Sequence, residues 1–245
     1  MIFSMNNLKG KIAIVTGASK GIGREIALLF GKMEATVVLT ARTNHLLQEV
    51  AQQIKSNGAD TEIFQLELED ENSIKKLVEF VKDKFGALDI LVNNAGITHS
   101  ASLEDTSTED YDKVMSVNAR GPFILCREVL ELLKKSESGK IINISSVVGV
   151  KGYPLQSAYT ASKHALRGMS ISLANELKDT SVRVHVICPG GVDTELIGRV
   201  RPDIKKDELI DPKEVAELAG YLVACKGRGV VDEIRIRRRT SDPWF

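Results

Sequence analysis

The stretch "KIAIVTGASKGIGREIALLF", residues 11–30, decides the fold of this chain. It opens on a β-branched run, "KIAIV" (11–15), and passes through a loop with glycines at 17, 21 and 23. It then enters a segment whose apolar residues Ile26, Leu29, Phe30 and, just beyond, Met33 recur at helical spacing. Strand, glycine loop and helix in that order make a phosphate-binding unit. Glycines let the chain turn sharply, and backbone N–H groups at a helix N-terminus face the anion. The glycines are spaced Gly-x3-Gly-x-Gly, a variant of the dinucleotide fingerprint. The loop residues that would meet such a ligand are Gly17, Ser19, Lys20, Gly21, Ile22 and Gly23.

Outward from this unit the same alternation repeats. Short β-branched runs occur at "TVVLT" (36–40), "EIFQL" (62–66), "LDILV" (88–92), "KIINI" (140–144), "VRVHVI" (182–187) and "VDEIRI" (231–236). Segments with helical spacing separate them, such as Ile74, Leu77, Val78 and Val81. Strands alternating with helices predict βαβ units around a parallel sheet, and near-continuous apolar strands predict that both sheet faces are covered. There is no repeat, low-complexity linker or domain break, so residues 1–245 are expected to form one α/β domain with a doubly wound parallel sheet of about seven strands.

Composition narrows the function classes. Lys+Arg and Asp+Glu both number 33, so the formal charge is zero, and nothing favours nucleic acid or an anionic membrane as partner. Hydrophobic residues are 43%, enough for a substantial core rather than disorder. Cys126, Cys188 and Cys225 lie in apolar contexts with no CxxC spacing, which predicts buried thiols and neither a disulfide framework nor a metal site. The N-terminal "MIFSMNNLKG" is too short for a signal peptide, and no run of about 18 apolar residues could span a membrane. The expectation is a cytoplasmic protein.

The run "SAYTASKHAL" (157–166) carries a chemical question. Tyr159 and Lys163 are four apart, so on a helix they share a face. An ammonium beside a phenol favours the phenolate, and a downward shift of about three pK units needs roughly 4 kcal/mol. The pair is either an ordinary solvated helix face or an acid–base device.

The company these residues keep resembles one family. "TGASKGIG" (16–23), "NNAG" (93–96), Asn118 in "VNARG", "ISS" (144–146), "YTASK" (159–163) and "PGGVDT" (189–194) occur in the order found in short-chain dehydrogenases/reductases. The resemblance spans residues 8–196 and implies a Rossmann-type fold and hydride transfer between a nicotinamide cofactor and a carbonyl or alcohol. It implies that Asn118, Ser146, Tyr159 and Lys163 are catalytic. Tyr159 would be the general acid, Ser146 would hydrogen-bond the substrate oxygen, and Asn118 would help hold a water that relays protons through Lys163. Period-2 alternation after "KIINI" turns Ser145 and Ser146 to different sides. On the cofactor side the resemblance points to Glu67 and Leu68 at the end of the third strand, to Asn94, Ala95 and Gly96, to Tyr159 and Lys163 themselves, and to Val192 and Thr194.

Cofactor choice is read at the second strand. "TVVLT" runs into Ala41-Arg42, with no acid to hydrogen-bond a ribose 2′-hydroxyl and a guanidinium ready for a 2′-phosphate. Lys20 supplies a second cation, so NADP (NADPH) is expected. Residues 195–211 are expected to form a lid, and Thr98, His99, Lys151 and Tyr153 are within its reach. The C-terminus departs from 3-oxoacyl carrier-protein reductases and polyol dehydrogenases. Instead of a glycine-rich turn it has Arg237, Arg238 and Arg239, expected at a solvated or inter-subunit edge, and then the aromatic pair Trp244 and Phe245, expected to pack against a partner subunit. The functions left open are a carbonyl reductase, a 3-oxoacyl carrier-protein reductase, a polyol or hydroxysteroid dehydrogenase, or a dinucleotide-binding sensor or structural subunit. The family's paired helices imply a homodimer or homotetramer, with a small carbonyl or alcohol as substrate.

Overall fold

The computed structural model describes residues 7–225 and 227–243. Seven parallel strands form one sheet in the order β3-β2-β1-β4-β5-β6-β7. They are β1 (Ile12–Thr16), β2 (Thr36–Ala41), β3 (Thr61–Gln65), β4 (Ile90–Asn93), β5 (Lys140–Ile144), β6 (Arg183–Pro189) and β7 (Glu233–Ile236). The expected runs match these within about two residues. One difference matters: β3 ends at Gln65, so Glu67 and Leu68 lie in the turn beyond it rather than at its tip.

Strand alternation builds two cores. Ala13, Val15, Val37, Leu39, Ile90, Val92, Ile142 and Ile144 face one side of the sheet, while Ile14, Val38, Leu91 and Ile141 face the other. The first side is covered by α1 (Gly21–Lys32), α2 (Asn44–Ser56) and α8 (Pro212–Ala224), and the second by α3 (Glu71–Phe85), α5 (Gly121–Leu133) and α6 (Ser157–Glu176). Each side chain so buried contributes about 1.5–3 kcal/mol relative to exposure. The helix ends follow local chemistry. Asp70 caps α3 by accepting from Asn72 N at 2.9 Å, and Gly86 ends the helix at φ 72°. Asp211 and Glu214 form a capping box at α8, with Pro212 in the first turn.

Two helical pieces sit nearer the site. α4 (Thr108–Met115) passes through a π turn over Ser116–Arg120 directly into α5, and α7 (Glu195–Val200) opens the segment expected to be a lid. Cys126 and Cys188 are buried and Cys225 is partly so, all as free thiols. Among the described residues no helix is long and apolar enough to cross a membrane. Trp244 and Phe245, expected to pack on a partner subunit, lie outside the described residues.

Candidate active site

The sheet order reverses between β1 and β4, and a cleft of about 600 Å³ opens there, at the carboxyl ends of the strands. The glycine loop forms one wall. Gly17 and Gly21 adopt φ of 67° and 56°, which a side chain would strain. A Cβ on Gly23 would come within 2.3 Å of Asn94 Nδ2 and 2.4 Å of the Gly17 carbonyl, so the helix can begin there only with glycine. The Asn94 amide donates to the carbonyls of Thr16 at 2.9 Å and Gly17 at 3.3 Å. The Thr16 hydroxyl accepts from the backbone N–H groups of Asn94 and Ala95. Asn94 therefore braces the loop across the switch point with its side chain.

On the opposite wall β5 delivers Ser145 and Ser146. Their hydroxyls diverge as alternation requires. Ser145 Oγ is buried and donates to the Lys163 carbonyl at 3.1 Å, while Ser146 lines the cleft and caps the short turn Val147–Gly149 by accepting from Val148 N. Tyr159 and Lys163 both face this region from α6, and both are buried. Lys163 Nζ lies 5.9 Å from the Tyr159 ring centre and donates to the Ile144 carbonyl at 2.9 Å. Asn118 is fully buried behind the cleft rather than on its wall. Its amide donates to the Ile97 carbonyl (2.8 Å) and Ser162 Oγ (3.0 Å), and its Oδ1 accepts from Ile97 N (2.9 Å). A Cβ on Gly96 would lie 3.2 Å from Asn118 Oδ1 and 3.5 Å from Lys163 Nζ, so these three groups meet at one point.

The electrostatics correct one expectation. The Tyr159 phenol is not pulled down by its neighbour: burial pushes it up to about 12, with the nearby Ser146 hydroxyl working weakly the other way. Burial also pushes the Lys163 ammonium down to about 8. Desolvation outweighs attraction because both groups are enclosed and the lysine's hydrogen bond goes to a carbonyl.

All the expected cofactor-side residues line the cleft except Gly23, which packs behind the loop. Glu67, Leu68, Asn94, Ala95 and Gly96 sit towards the β1–β3 side, and Val192 and Thr194 follow β6. Arg42 is exposed at the mouth and has no hydrogen bond or ion pair among the described residues. Lys20 is different: it pairs with Glu195 of α7, so the two cations do not converge as expected. The segment 195–211 does lie over the cleft, through Leu196, Ile197, Val200, Arg201 and Ile204. Thr98 and Tyr153 line the cleft, but His99 turns towards Asp110 and Lys151 lies over the Tyr153 ring at 5.1 Å.

The C-terminal arginines are placed more closely than the sequence allowed. Arg237 and Arg239 are exposed, as expected of a solvated edge, but that edge borders the site: Arg237 and the half-buried Arg238 line the cleft, because β7 is parallel to the other strands and ends on the same side. Arg238 binds Glu208 and Thr240, and its stem packs on Gly191. Gln156 and Lys113 also line the cleft and were missed. For the arginines the legible signal was their place just after a parallel strand.

Comparison with known proteins agrees with this geometry. The family profile described as short chain dehydrogenase matches residues 11–205. An uncharacterized oxidoreductase of Thermotoga maritima is 39% identical over 207 residues, covering 83% of this chain and 81% of that protein. The 3-oxoacyl-(acyl-carrier-protein) reductase FabG of the same organism is 33% identical over 235 residues, covering 93% and 96%. A short chain dehydrogenase structure from Escherichia coli, described as putative in name and complexed with NADPH, superposes with TM-score 0.90 at 30% identity, covering 97% of this chain and 100% of that one.

Proposed function

The chain belongs to the short-chain dehydrogenase family, and from that premise we propose that it is an NADP(H)-dependent oxidoreductase acting on a carbonyl or secondary alcohol, with Tyr159 as general acid–base. The observation that carries this reading is the meeting of Ser146, Tyr159 and Lys163 in one cleft with a glycine loop and Arg42. The residues fit a dinucleotide: glycines where no Cβ has room, backbone N–H groups at the start of α1, and an arginine without an acid partner at the second strand. The Escherichia coli neighbour's NADPH supports the same cofactor here. When bound, the nicotinamide supplies or accepts the hydride.

This chain's groups handle the oxygen and its proton. Ser146 donates a hydrogen bond to the substrate carbonyl. As the C=O π bond opens, carbon gains hydride and oxygen gains the Tyr159 proton, giving the alcohol and a phenolate. A phenol with a pKa near 12 reprotonates readily from a lysine ammonium near 8, so Lys163 is suited to refill it. Ser162 accepts from Asn118 and donates to the Tyr159 carbonyl at 2.8 Å, tying the relay's buried end to the helix that carries the tyrosine. A tyrosine kept protonated at neutral pH suits reduction, which favours the carbonyl-reductase direction.

The Thermotoga maritima reductase supports a second reading, 3-oxoacyl carrier-protein reduction. A homodimer or homotetramer is supported by exposed Phe123 and Ile171 and by a groove between α4, α5 and α6 containing Met115, Ala119, Phe123 and Met169. A cytoplasmic location completes the proposal. The test is NADPH oxidation, followed optically, with ketones, diketones and acetoacetyl thioesters. Turnover is expected with at least one class, and a failure of NADPH both to bind and to be oxidised sinks the reading.

A further inference from the structure

The C-terminal residues Arg237, Arg238 and Ser241, just beyond β7, line the same cleft as Ser146. Gly190 N donates to the Ile236 carbonyl at 2.8 Å, and a Cβ on Gly190 would lie 3.4 Å from Arg237 Cα. The preceding residue, Pro189, accepts through its carbonyl from the Ser146 hydroxyl at 3.5 Å. Arg237 therefore leaves the sheet two strands from the group that would hold the substrate oxygen, with the end of β6 between them.

The two other arginines that line this wall are paired with carboxylates. Arg201 forms a two-point pair with Asp203 at 2.8 and 2.7 Å, and Arg238 reaches Glu208 at 3.3 Å. Of the carboxylates on this wall, Asp193 pairs with Lys206 and Glu195 with Lys20. Arg237 has no carboxylate partner among the described residues. All its side-chain hydrogen bonds leave from Nη1, to the carbonyls of Arg238 (3.1 Å), Arg239 (3.4 Å) and Ser241 (2.7 Å).

Three carbonyls thus hold the guanidinium in place by one nitrogen. The Nε–Nη2 edge, whose two N–H groups match the two oxygens of a carboxylate or phosphate, keeps its donors available. A guanidinium already fixed loses little rotamer freedom on binding, so the contact would add affinity efficiently. The same cleft is lined by Leu196, Ile197 and Val200 of the lid, which suit a short carbon chain.

We propose that Arg237 determines specificity by binding an anionic group on the substrate, so that the physiological carbonyl compound or alcohol carries a carboxylate or a phosphate. This rests on the oxidoreductase reading of the same cleft. A neutral thioester leaves the arginine edge unused. An acid whose anionic group lies a few bonds from the carbonyl uses both ends of the site.

Titration calorimetry on the NADP-loaded protein tests it with pairs that differ in charge: acetoacetate beside methyl acetoacetate, and dihydroxyacetone phosphate beside dihydroxyacetone. The first pair reads carboxylate and the second phosphate. At least one charged member is expected to bind about tenfold or more tightly than its neutral partner. Arg237→Met should weaken that member by about 10- to 100-fold. Neutral members and NADP should bind the variant as they bind the wild type, which also shows that its C-terminal turn survives. Arg237→Lys, which keeps the charge but loses the two-point edge, should fall between, and it answers the question should Arg237→Met not fold. Equal binding of charged and neutral members, or a preference untouched by both substitutions, overturns the inference while NADPH binding and turnover leave the oxidoreductase reading standing. If the wild type binds no NADPH, both fall together.

Discussion

Lys163 stands one helical turn from Tyr159, yet its ammonium donates to the Ile144 carbonyl and not to the phenol. Burial has moved the two groups apart on the pH scale, the lysine down to about 8 and the tyrosine up to about 12. The lysine's departure from 10.5 is a cost to folding that depends on pH.

The folded lysine sheds its proton near pH 8 while the unfolded one keeps it to about 10.5, so between those values the unfolded state binds more protons. Raising the pH through that window therefore favours folding. Replacing Lys163 with Met should remove this dependence. Relative to the variant, the wild type should gain about 3 kcal/mol between pH 7 and pH 10.5, by the free energy of one pK unit. Thermal melts of both proteins across the window measure it; parallel profiles would show that the lysine is not buried as a cation at neutral pH.

Tyr159→Phe keeps the ring and removes the proton donor. Turnover should fall by about 10² or more, with NADPH affinity nearly unchanged. Steady-state kinetics and a separate cofactor titration distinguish these, and near-normal turnover would take Tyr159 out of the mechanism.

Arg42→Asp should weaken NADPH about 10- to 100-fold and NADH much less, since a charged hydrogen-bonded contact becomes a repulsion. Lys20→Met should cost NADPH affinity less, because that ammonium already has Glu195 and an exposed pair of this kind is worth under about 1 kcal/mol. Wild type that uses NADH as well as NADPH would contradict the cofactor assignment.

Phe123 is 52% exposed on α5 beside the Met115–Met169 groove. Phe123→Glu should place an unpaired charge in any contact made there. Light scattering at micromolar concentration should give a multiple of one chain's mass for the wild type and a smaller species for the variant. A wild type of one chain's mass would end the assembly proposal.

The strands were legible because they are short runs rich in β-branched residues: a strand covered on both faces, such as Ile12–Thr16, is apolar at nearly every position. The cleft residues were legible for a related reason, since they follow those runs directly. What stayed hidden depends on neighbours distant in sequence. Nothing near Lys20 announces Glu195, 175 residues away. Nothing near Tyr159 announces how completely it is enclosed. The arginine run after Ile236 reads as a solvated edge by charge alone; only the direction of β7 puts that edge at the mouth of the cleft.

The π turn at Ser116–Arg120 was also invisible, because its residues are ordinary helix formers, and its effect reaches beyond Asn118. Each residue advances an α-helix by about 100°, so one surplus residue resets the rotation of everything downstream. The rod from Thr108 to Leu133 is in this sense two helices with separately chosen phases. Its first part lies on α6, and its second part on α3. Removing one residue from 116–120 would make the rod regular and more economical in hydrogen bonds. It would also force a single phase on two faces that now answer to different neighbours, and Asn118 would be the first side chain to lose its place.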